Sequence, residues 1–195
     1  GLNILTDPGV FSTQQDAVNG LHVVLITHEH ADHLHINSLK AILKNNPKAK
    51  VVTNTSTYEL LKKENISATI LEDGGAWTEG GVKFEAYGIK HAVMLPAIPP
   101  SDNTGFFIGG RLFYPGDAFT DPKKPVEILA LPVAGPWMKL AEAVDYALKL
   151  KPKICFPVHE GILKSPGTTH TFPPRVLEPA GIKFVPLEID KPWEV

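Results

Sequence analysis

The sequence predicts an α/β domain, because short apolar segments of strand type alternate with segments of helical period along the chain. Two further observations agree with this class. Several predicted strands run directly into an aspartate or a histidine, and no long linker, low-complexity tract or break in composition divides the chain. A length of 195 residues supports one well-buried core and is short for two. We therefore expect a single domain that covers residues 1–195.

The first half of the chain contains predicted strands separated by two predicted helices. The strands are β-branched, apolar and bounded by turn residues, whereas the first helix carries apolar residues at helical spacing. Ser56, followed three residues later by Glu59, has the pattern of a capping box and predicts the start of the second helix. The predicted strands are residues 2–6, 21–26, 51–52, 68–71 and 82–87, and the predicted helices are residues 36–45 and 56–65.

The second half begins with a proline-rich loop, residues 92–103, that is apolar yet unsuited to a helix or a central strand. It could be a lid that faces a substrate, or it could pack flat on the core. The Gly109-Gly110 pair after it predicts a hairpin between two short strands. The predicted strands are residues 104–108, 111–114, 126–133, 154–158 and 183–187, and the predicted helices are residues 140–148 and 175–178.

Composition excludes several classes of partner. The formal charge of −2 comes from interspersed signs, so we expect no nucleic-acid partner. No apolar run approaches the ~20 residues of a membrane span, so we expect no integral membrane segment. The single cysteine, Cys155, excludes an internal disulfide, lies in an apolar strand as a buried thiol, and fits a cytoplasmic location. The start at Gly1, without a methionine or a signal peptide, predicts a missing leading segment or a fragment.

The stretch from Thr27 to His33 predicts a metal site. It places His28, His30, Asp32 and His33 directly after a buried strand. In an extended segment side chains at i and i+2 point the same way, so His28 and His30 can hold one ion while Asp32 and His33, past a turn, reach a second. Imidazole and carboxylate suit zinc, and also manganese or iron. The spacing therefore favours two divalent metal ions. Ligand type alone does not choose among these elements, and zinc is the expected one, with manganese or iron as the alternatives.

Three more predicted strands end in a polar residue of the same kind: His91, Asp117 and His159. Together with the His-x-His-x-Asp-His motif and Asp7, they make the chain resemble the metallo-β-lactamase superfamily, in its hydrolase branches. The segments Ile4-Leu5-Thr6-Asp7-Pro8, Pro132-Val133-Ala134-Gly135-Pro136-Trp137-Met138 and Pro157-Val158-His159-Glu160-Gly161 resemble the small single-domain branch that contains ascorbate-6-phosphate lactonase-like and N-acylphosphatidylethanolamine phospholipase D-like proteins.

The resemblance implies a four-layer αββα sandwich with a two-metal centre at one edge of the paired sheets. It implies one metal held by His28, His30 and His91, a second held by Asp32, His33 and His159, and Asp117 between them. Asp7 would orient the first motif from behind. That branch normally begins with a hairpin before the equivalent of Asp7, which is absent here, so a sheet edge could be completed by another copy in a homo-oligomer.

The expected function is a dinuclear metal-dependent hydrolase that acts on a small-molecule ester, lactone or phosphodiester. Two cations that share a water lower its pKa and supply hydroxide as the nucleophile. We predict Asp32 and Asp117 as catalytic carboxylates and His170, in a polar loop, as an anion-binding residue or general acid. Phe119, Trp137, Met94 and Met138 could wall a substrate pocket or pack in the core.

Departures from related branches narrow the choice. Cys155 does not lie at a ligand position, which argues against antibiotic hydrolysis, and His30 stands where flavodiiron relatives have glutamate. The alternative function is a mononuclear non-heme iron oxygenase of the sulfur-dioxygenase kind, which would use mainly the first metal site.

Overall fold

A computed structural model describes residues 1–12, 14–189 and 191–195 of the chain. Its strands are β1 Ile4–Thr6, β2 Val23–Leu25, β3 Lys50–Thr53, β4 Thr69–Ile70, β5 Ala76–Glu79, β6 Val82–Tyr87, β7 Gly105–Ile108, β8 Leu112–Tyr114, β9 Ile128–Pro132, β10 Ile154–Val158 and β11 Lys183–Phe184. Its α-helices are α1 Ile36–Asn45, α2 Thr55–Lys63, α3 Leu140–Leu150, α4 Thr168–Thr171 and α5 Pro173–Leu177, and its 3-10 helices are Gln14–Ala17 and Glu160–Ile162.

The strands form two sheets whose directions bring several carboxyl ends to one edge. The first sheet has the order β1-β2-β3-β4, and all of its strands are parallel. The second has the order β11-β10-β9-β8-β7-β6-β5. Because β6 and β8 are both antiparallel to β7, while β8, β9 and β10 are mutually parallel, β6, β8, β9 and β10 all run the same way. Residues that follow these strands therefore meet at the same edge of the sheet.

Alternation along β2 explains the layering of the molecule. Val23 and Leu25 face the second sheet and pack against Phe84 and Phe106 of β6 and β7. The opposite face of the first sheet packs on the helical side, in a cluster formed by Leu21, Val24, Ile26, Leu34, Leu39, Ile42, Val51, Leu61 and Ile66. The outer face of the second sheet packs against α3 and α5 in a third cluster. Helices, two face-to-face sheets and helices again make the expected αββα sandwich, and the predicted fold class is confirmed.

Most of the predicted elements are present with small shifts in their ends. Helix α1 has the predicted bounds, and Gly109 and Gly110 both adopt positive φ in the hairpin between β7 and β8. Cys155 is buried, and burial raises the pKa of its thiol to about 12, as an inert thiol requires. Strand β5, helix α4 and both 3-10 helices were not predicted, and the last strand is shorter than expected. None of the helices in the described part of the chain is long and apolar enough to span a membrane.

The predicted capping box at the start of α2 is wrong, because Asn54 rather than Ser56 caps the helix. The Oδ1 atom of Asn54 accepts a hydrogen bond from the Thr57 N–H at 3.0 Å, and Ser56 lies within the first turn, where its hydroxyl donates to the same Oδ1. Asn54 is buried, and its Nδ2 donates to the Thr27 carbonyl at 2.9 Å. The cap of α2 therefore also holds the residue that precedes the histidine motif.

We expect Asn54→Ala to reduce the free energy of unfolding by about 1–3 kcal/mol, because it removes an N-cap and leaves the buried Thr27 carbonyl without its donor. Ser56→Ala is the matched control and should change it by less than about 0.5 kcal/mol. Urea unfolding followed by circular dichroism measures both. Equal losses for the two variants would contradict the assignment of Asn54 as the cap.

Candidate metal centre

The predicted ligands follow the carboxyl ends of four strands and meet at one edge of the two sheets. The motif from His28 to His33 comes after β2, His91 after β6, Asp117 after β8 and His159 after β10. The structure gathers them into two groups, and the candidate ligand atoms within each group lie within 4.8 Å of one another. The first group is His28, His30 and His91, and the second is Asp32, His33, Asp117 and His159. The two sets of histidines are divided as the resemblance implied, and Asp117 falls within the second group.

The first group is a cluster of three imidazoles. The Nε2 atom of His28 lies 3.1 Å from Nδ1 of His30. The Nε2 atom of His91 is buried and has no hydrogen-bond partner among the described residues. Three converging imidazole nitrogens suit a divalent cation, and an unsatisfied buried nitrogen is otherwise costly.

The second group mixes imidazole with carboxylate, and Asp117 lies between the two groups. The Nε2 atom of His159 lies 3.1 Å from Nε2 of His33, 3.3 Å from Oδ2 of Asp32 and 3.0 Å from Oδ2 of Asp117. Asp117 also reaches the first group, since its Oδ2 lies 3.3 Å from Nε2 of His91. The Asp117 carboxylate thus contacts histidines of both groups and could contribute to both cation sites.

The second nitrogen of four histidine rings is held by a neighbour, which orients the free nitrogen toward the centre. This arrangement fits metal ligation, because a ligating imidazole commonly engages an oxygen through its other nitrogen. The pairs are His28 Nδ1 with Thr27 Oγ1 at 3.0 Å, His30 Nε2 with Ser101 Oγ at 3.2 Å, His33 Nδ1 with Asp7 Oδ2 at 2.7 Å, and His91 Nδ1 with the Ala92 carbonyl at 2.5 Å.

Asp7 anchors the motif from behind, in the place that the resemblance implied. Its Oδ1 accepts a hydrogen bond from the Thr27 N–H, and its Oδ2 accepts one from the Thr27 hydroxyl, both at 2.8 Å. Because that hydroxyl donates to Asp7, it accepts from the Nδ1–H of His28. Asp7 therefore determines the tautomer of His28 through Thr27, and it contacts His33 directly.

Two residues that hold Asp117 were not predicted in this role. The indole N–H of Trp137 donates to Oδ2 of Asp117 at 2.8 Å, and the Asp117 N–H donates to Oδ1 of Asn103 at 3.0 Å. The sequence predicts Trp137 as a pocket wall or a core residue and indicates no role for Asn103. Phe119 stacks edge-on against Trp137 with a centroid distance of 5.2 Å and, like Met138, packs against the core of the second sheet.

The pKa values of histidines in the two groups are shifted in opposite directions. Burial and the neighbouring His33 lower the pKa of His28 to about 2, and burial also lowers the pKa of His30. Burial alone would lower the pKa of His33, but the carboxylates of Asp7 and Asp117 raise it to about 10. The second group therefore contains protonated imidazole, whereas His28 and His30 of the first group are neutral.

The carboxylates of the second group are ionised. Burial would raise the pKa of Asp117, but the close contacts of its carboxylate with His159, His33 and His91 hold it far below its usual range. A hydrogen bond from His159 lowers the pKa of Asp32 to about 2. Burial opposes charge on His159 as well, yet its bonds to Asp117 and Asp32 raise its pKa to about 9. Protons on two histidines thus neutralise charge that a divalent cation would otherwise neutralise.

Two non-glycine residues of the site adopt the left-handed backbone region. His159 has φ of 68°, and Asp7 has φ of 43°. Such a conformation costs of order 1–2 kcal/mol and persists only where surrounding contacts compensate for it. Here the side chains of Asp7 and His159 both contact His33, and these contacts compensate for the strain. The strained backbone thus orients side chains of the candidate site.

A cleft of about 200 Å³ opens beside the second group. It is lined by Asp7, Phe11, Ser12, Asp32, His33, Tyr114, His159, Gly161 and Ile162. Asp32 is the more exposed of the two candidate catalytic carboxylates, with 27% of its side chain accessible against 4% for Asp117. A small molecule that enters this cleft reaches the second group first.

His170 lies in helix α4 rather than in a loop, and its Nε2 is 3.1 Å from Oε1 of Glu160. Within the described chain it belongs to neither ligand group. Glu160 follows His159 directly, so this pair lies next to the centre along the chain. The role of His170 as an anion-binding residue or general acid stays a prediction.

Comparison with known proteins defines the class. Residues 1–159 match the family model of the β-lactamase superfamily domain. Protein Rv0786c of Mycobacterium tuberculosis is 38% identical over 165 residues, which cover 82% of this chain and 76% of that protein. A UPF0173 metal-dependent hydrolase of Methanobrevibacter smithii is 30% identical over 202 residues, which cover 92% of this chain and 79% of that protein.

A solved structure agrees with these matches. A protein described as a metal-dependent hydrolase from Parabacteroides distasonis superposes with a TM-score of 0.76 at 24% identity, over 94% of this chain and 84% of that one. The fold, the site and the relatives thus define a metal-dependent hydrolase. The chain belongs to the β-lactamase superfamily, as its motifs predicted.

We expect metal binding to release about two protons at pH 7, because a cation at the second group must displace them from His33 and His159. Both pKa values lie above 7, so zinc affinity should rise with pH from about 6 to 8, by about tenfold per pH unit for each displaced proton. Titration calorimetry in buffers of different ionisation enthalpy counts the protons.

Asp7→Asn tests the origin of this effect, because it removes the carboxylate that raises the pKa of His33. We expect it to reduce the release by about one proton. Asp121→Asn, at a surface ion pair with Lys123, is the matched control. Equal proton release by all three proteins would contradict the assignment.

We expect Trp137→Phe to weaken zinc affinity by about 10- to 100-fold, because it removes the N–H that holds Asp117 while keeping an aromatic ring beside Phe119. Competition with a chromogenic chelator measures the affinity. Trp77→Phe is the matched control, since Trp77 packs on Phe84 in another part of the fold. An equal affinity in the two variants would rule out this role for Trp137.

Proposed function

We propose that the chain is a dinuclear metal-dependent hydrolase that cleaves an ester, lactone or phosphodiester bond in a small molecule, with zinc as its metal. The observation that carries this proposal is the pair of adjacent ligand groups that share Asp117 beside an open cleft. Two divalent cations at such a site would lower the pKa of a shared water, supply hydroxide at neutral pH and polarise the attacked bond.

The residues of the proposed centre have distinct roles as metal ligands. His28, His30 and His91 hold the first cation, and Asp32, His33 and His159 hold the second. Asp117 lies between the two and is kept ionised by its histidine neighbours, which lower its pKa. His28, His33, His91 and Asp117 are buried, which strengthens their electrostatic effect on the reacting bond.

Asp32 has the geometry of the group that contacts the nucleophile. Its carboxylate lines the cleft, and the bond from His159 lowers its pKa and keeps it ionised at neutral pH. It can therefore accept a hydrogen bond from an incoming water and orient it. No serine or cysteine nucleophile is needed, and the single cysteine is buried with a raised pKa. We also propose a cytoplasmic location, on the basis of the single unpaired cysteine.

We expect the purified protein to contain about two zinc ions per chain and to hydrolyse members of a panel of esters, lactones and phosphodiesters equally well with and without oxygen. Asp117→Asn should lose metal and reduce kcat/KM at least about 1000-fold, equivalent to about 4 kcal/mol of transition-state stabilisation. Elemental analysis and steady-state kinetics measure these quantities.

Asp121→Asn serves again as the matched carboxylate control and should retain metal and activity. Turnover that requires oxygen and a single iron would overturn the proposal in favour of the iron oxygenase. Unchanged metal content in the combined variant His28→Ala and Asp117→Ala would show that the ligand assignment is wrong.

A further inference from the structure

A second cavity lies on the opposite side of the centre, beside the first ligand group. Its volume is about 460 Å³, against about 200 Å³ for the cleft beside the second group. His30 lines it, so the cavity is continuous with the ligand cluster. Volumes of this size are typical of small-molecule sites. The cavity therefore has both the position and the dimensions of a substrate subsite.

The walls of this cavity are apolar, and most of them belong to the loop of residues 92–103. The apolar wall is formed by Met94, Leu95, Ile98, Pro99, Pro100 and Pro136. Leu95 and Ile98 are each 57% exposed, so the loop does not pack flat on the core. A contiguous group of exposed apolar side chains at the mouth of a site is unfavourable in water unless a ligand covers it.

The loop is held in place at both ends by the centre itself. At its start the Ala92 N–H donates to the Asp117 carbonyl at 2.9 Å, and near its end the Ser101 carbonyl accepts from the His91 N–H at 3.0 Å. The Ser101 hydroxyl contacts His30. Three prolines between these anchors restrict the backbone further. The apolar wall is thus preorganised against the first ligand group, which reduces the entropic cost of binding.

The charge of the cavity restricts what it can bind. Within the described residues, its lining contains no lysine or arginine, and the one acidic side chain is Glu29. One carboxylate oxygen of Glu29 is buried and has no hydrogen-bond partner in the described chain. The lining offers no lysine or arginine to an anionic group placed beside Glu29, so a carboxylate or phosphate is disfavoured in the part of the cavity that lies away from the ligand groups.

We propose that the substrate carries an uncharged, apolar acyl group that occupies this cavity next to the bond that is hydrolysed. The proposal rests on the proposed function for the nature of that bond, but the apolar subsite can be measured without catalysis. The leaving side of the substrate then lies toward the cleft that contains Asp32.

Binding of a neutral apolar probe tests the subsite directly. We expect N-phenylnaphthylamine to gain fluorescence with the zinc-loaded protein and octanol to displace it. Octanesulfonate, whose anionic group is a poor zinc ligand, should displace it at least about tenfold less well. Ile98→Ser should weaken probe binding about tenfold. Ile89→Ser is the matched control, because Ile89 is 62% exposed, comparable to the 57% of Ile98, but lies outside this cavity.

Hydrolysis of p-nitrophenyl esters tests the position of the subsite relative to the reaction. We expect kcat/KM to be about 10- to 100-fold higher for the octanoate ester than for the acetate ester. Ile98→Ser should remove most of this ratio, whereas Ile89→Ser should preserve it. The double variant Leu95→Ser and Ile98→Ser should remove the rest of the difference in kcat/KM between the two esters. Circular dichroism verifies that each variant is folded.

The outcomes separate this proposal from the proposed function. Equal probe binding and equal chain-length preference in Ile98→Ser and Ile89→Ser, with hydrolysis intact, would overturn the apolar subsite alone. Probe binding that depends on Ile98 without hydrolysis of any ester would support the apolar subsite and overturn ester cleavage. Tighter binding of octanesulfonate than of octanol would overturn the charge argument based on Glu29.

Discussion

The centre depends on two contacts of His33, one with Asp7 and one with Asp117, which together join the two sheets. Asp7 follows β1 and His33 follows β2 in the first sheet, whereas Asp117 follows β8 in the second. His33 lies 2.7 Å from Asp7 and 3.2 Å from Asp117, and all three are nearly inaccessible to water. Buried carboxylates are stable only when a positive charge compensates for their lost hydration. Either a proton on His33 or a cation at the site must therefore be present, and the geometry accommodates either one.

The directions of the strands bring the other candidate ligands to the same place. The strands β6, β8 and β10 run the same way because β7 runs antiparallel between β6 and β8, so His91, Asp117 and His159 all emerge at one edge. Short strands limit the freedom of these residues, because each ligand follows within a few residues of a paired position. The left-handed backbone of His159 completes the arrangement by turning its ring toward His33.

The sequence indicates the candidate ligands because each lies within a few residues of the end of a predicted strand, and because histidines spaced as closely as those of the motif are typical of metal sites. The contacts that hold Asp117 in place could not be predicted in this way. Trp137 reaches Asp117 across 20 residues, and Asn103 reaches it across 14, so neither contact leaves a local pattern. The cap of α2 was misassigned because Ser56 and Asn54 are both good caps, and only the buried bond from Asn54 to the Thr27 carbonyl decides between them. Helix α4 spans only four residues, too few for a helical period to be visible.

The loop of residues 92–103 couples metal ligation to the shape of the apolar cavity. It begins one residue after His91, contacts His30 through Ser101, and ends at Asn103, which accepts a hydrogen bond from the Asp117 N–H. The same segment carries the apolar wall. A shift of the loop that widened the cavity would therefore also move the partners of His30 and Asp117. Because ligands from both groups depend on it, substrate preference and metal affinity are not independent properties of this site, and the loop is the physical connection between them.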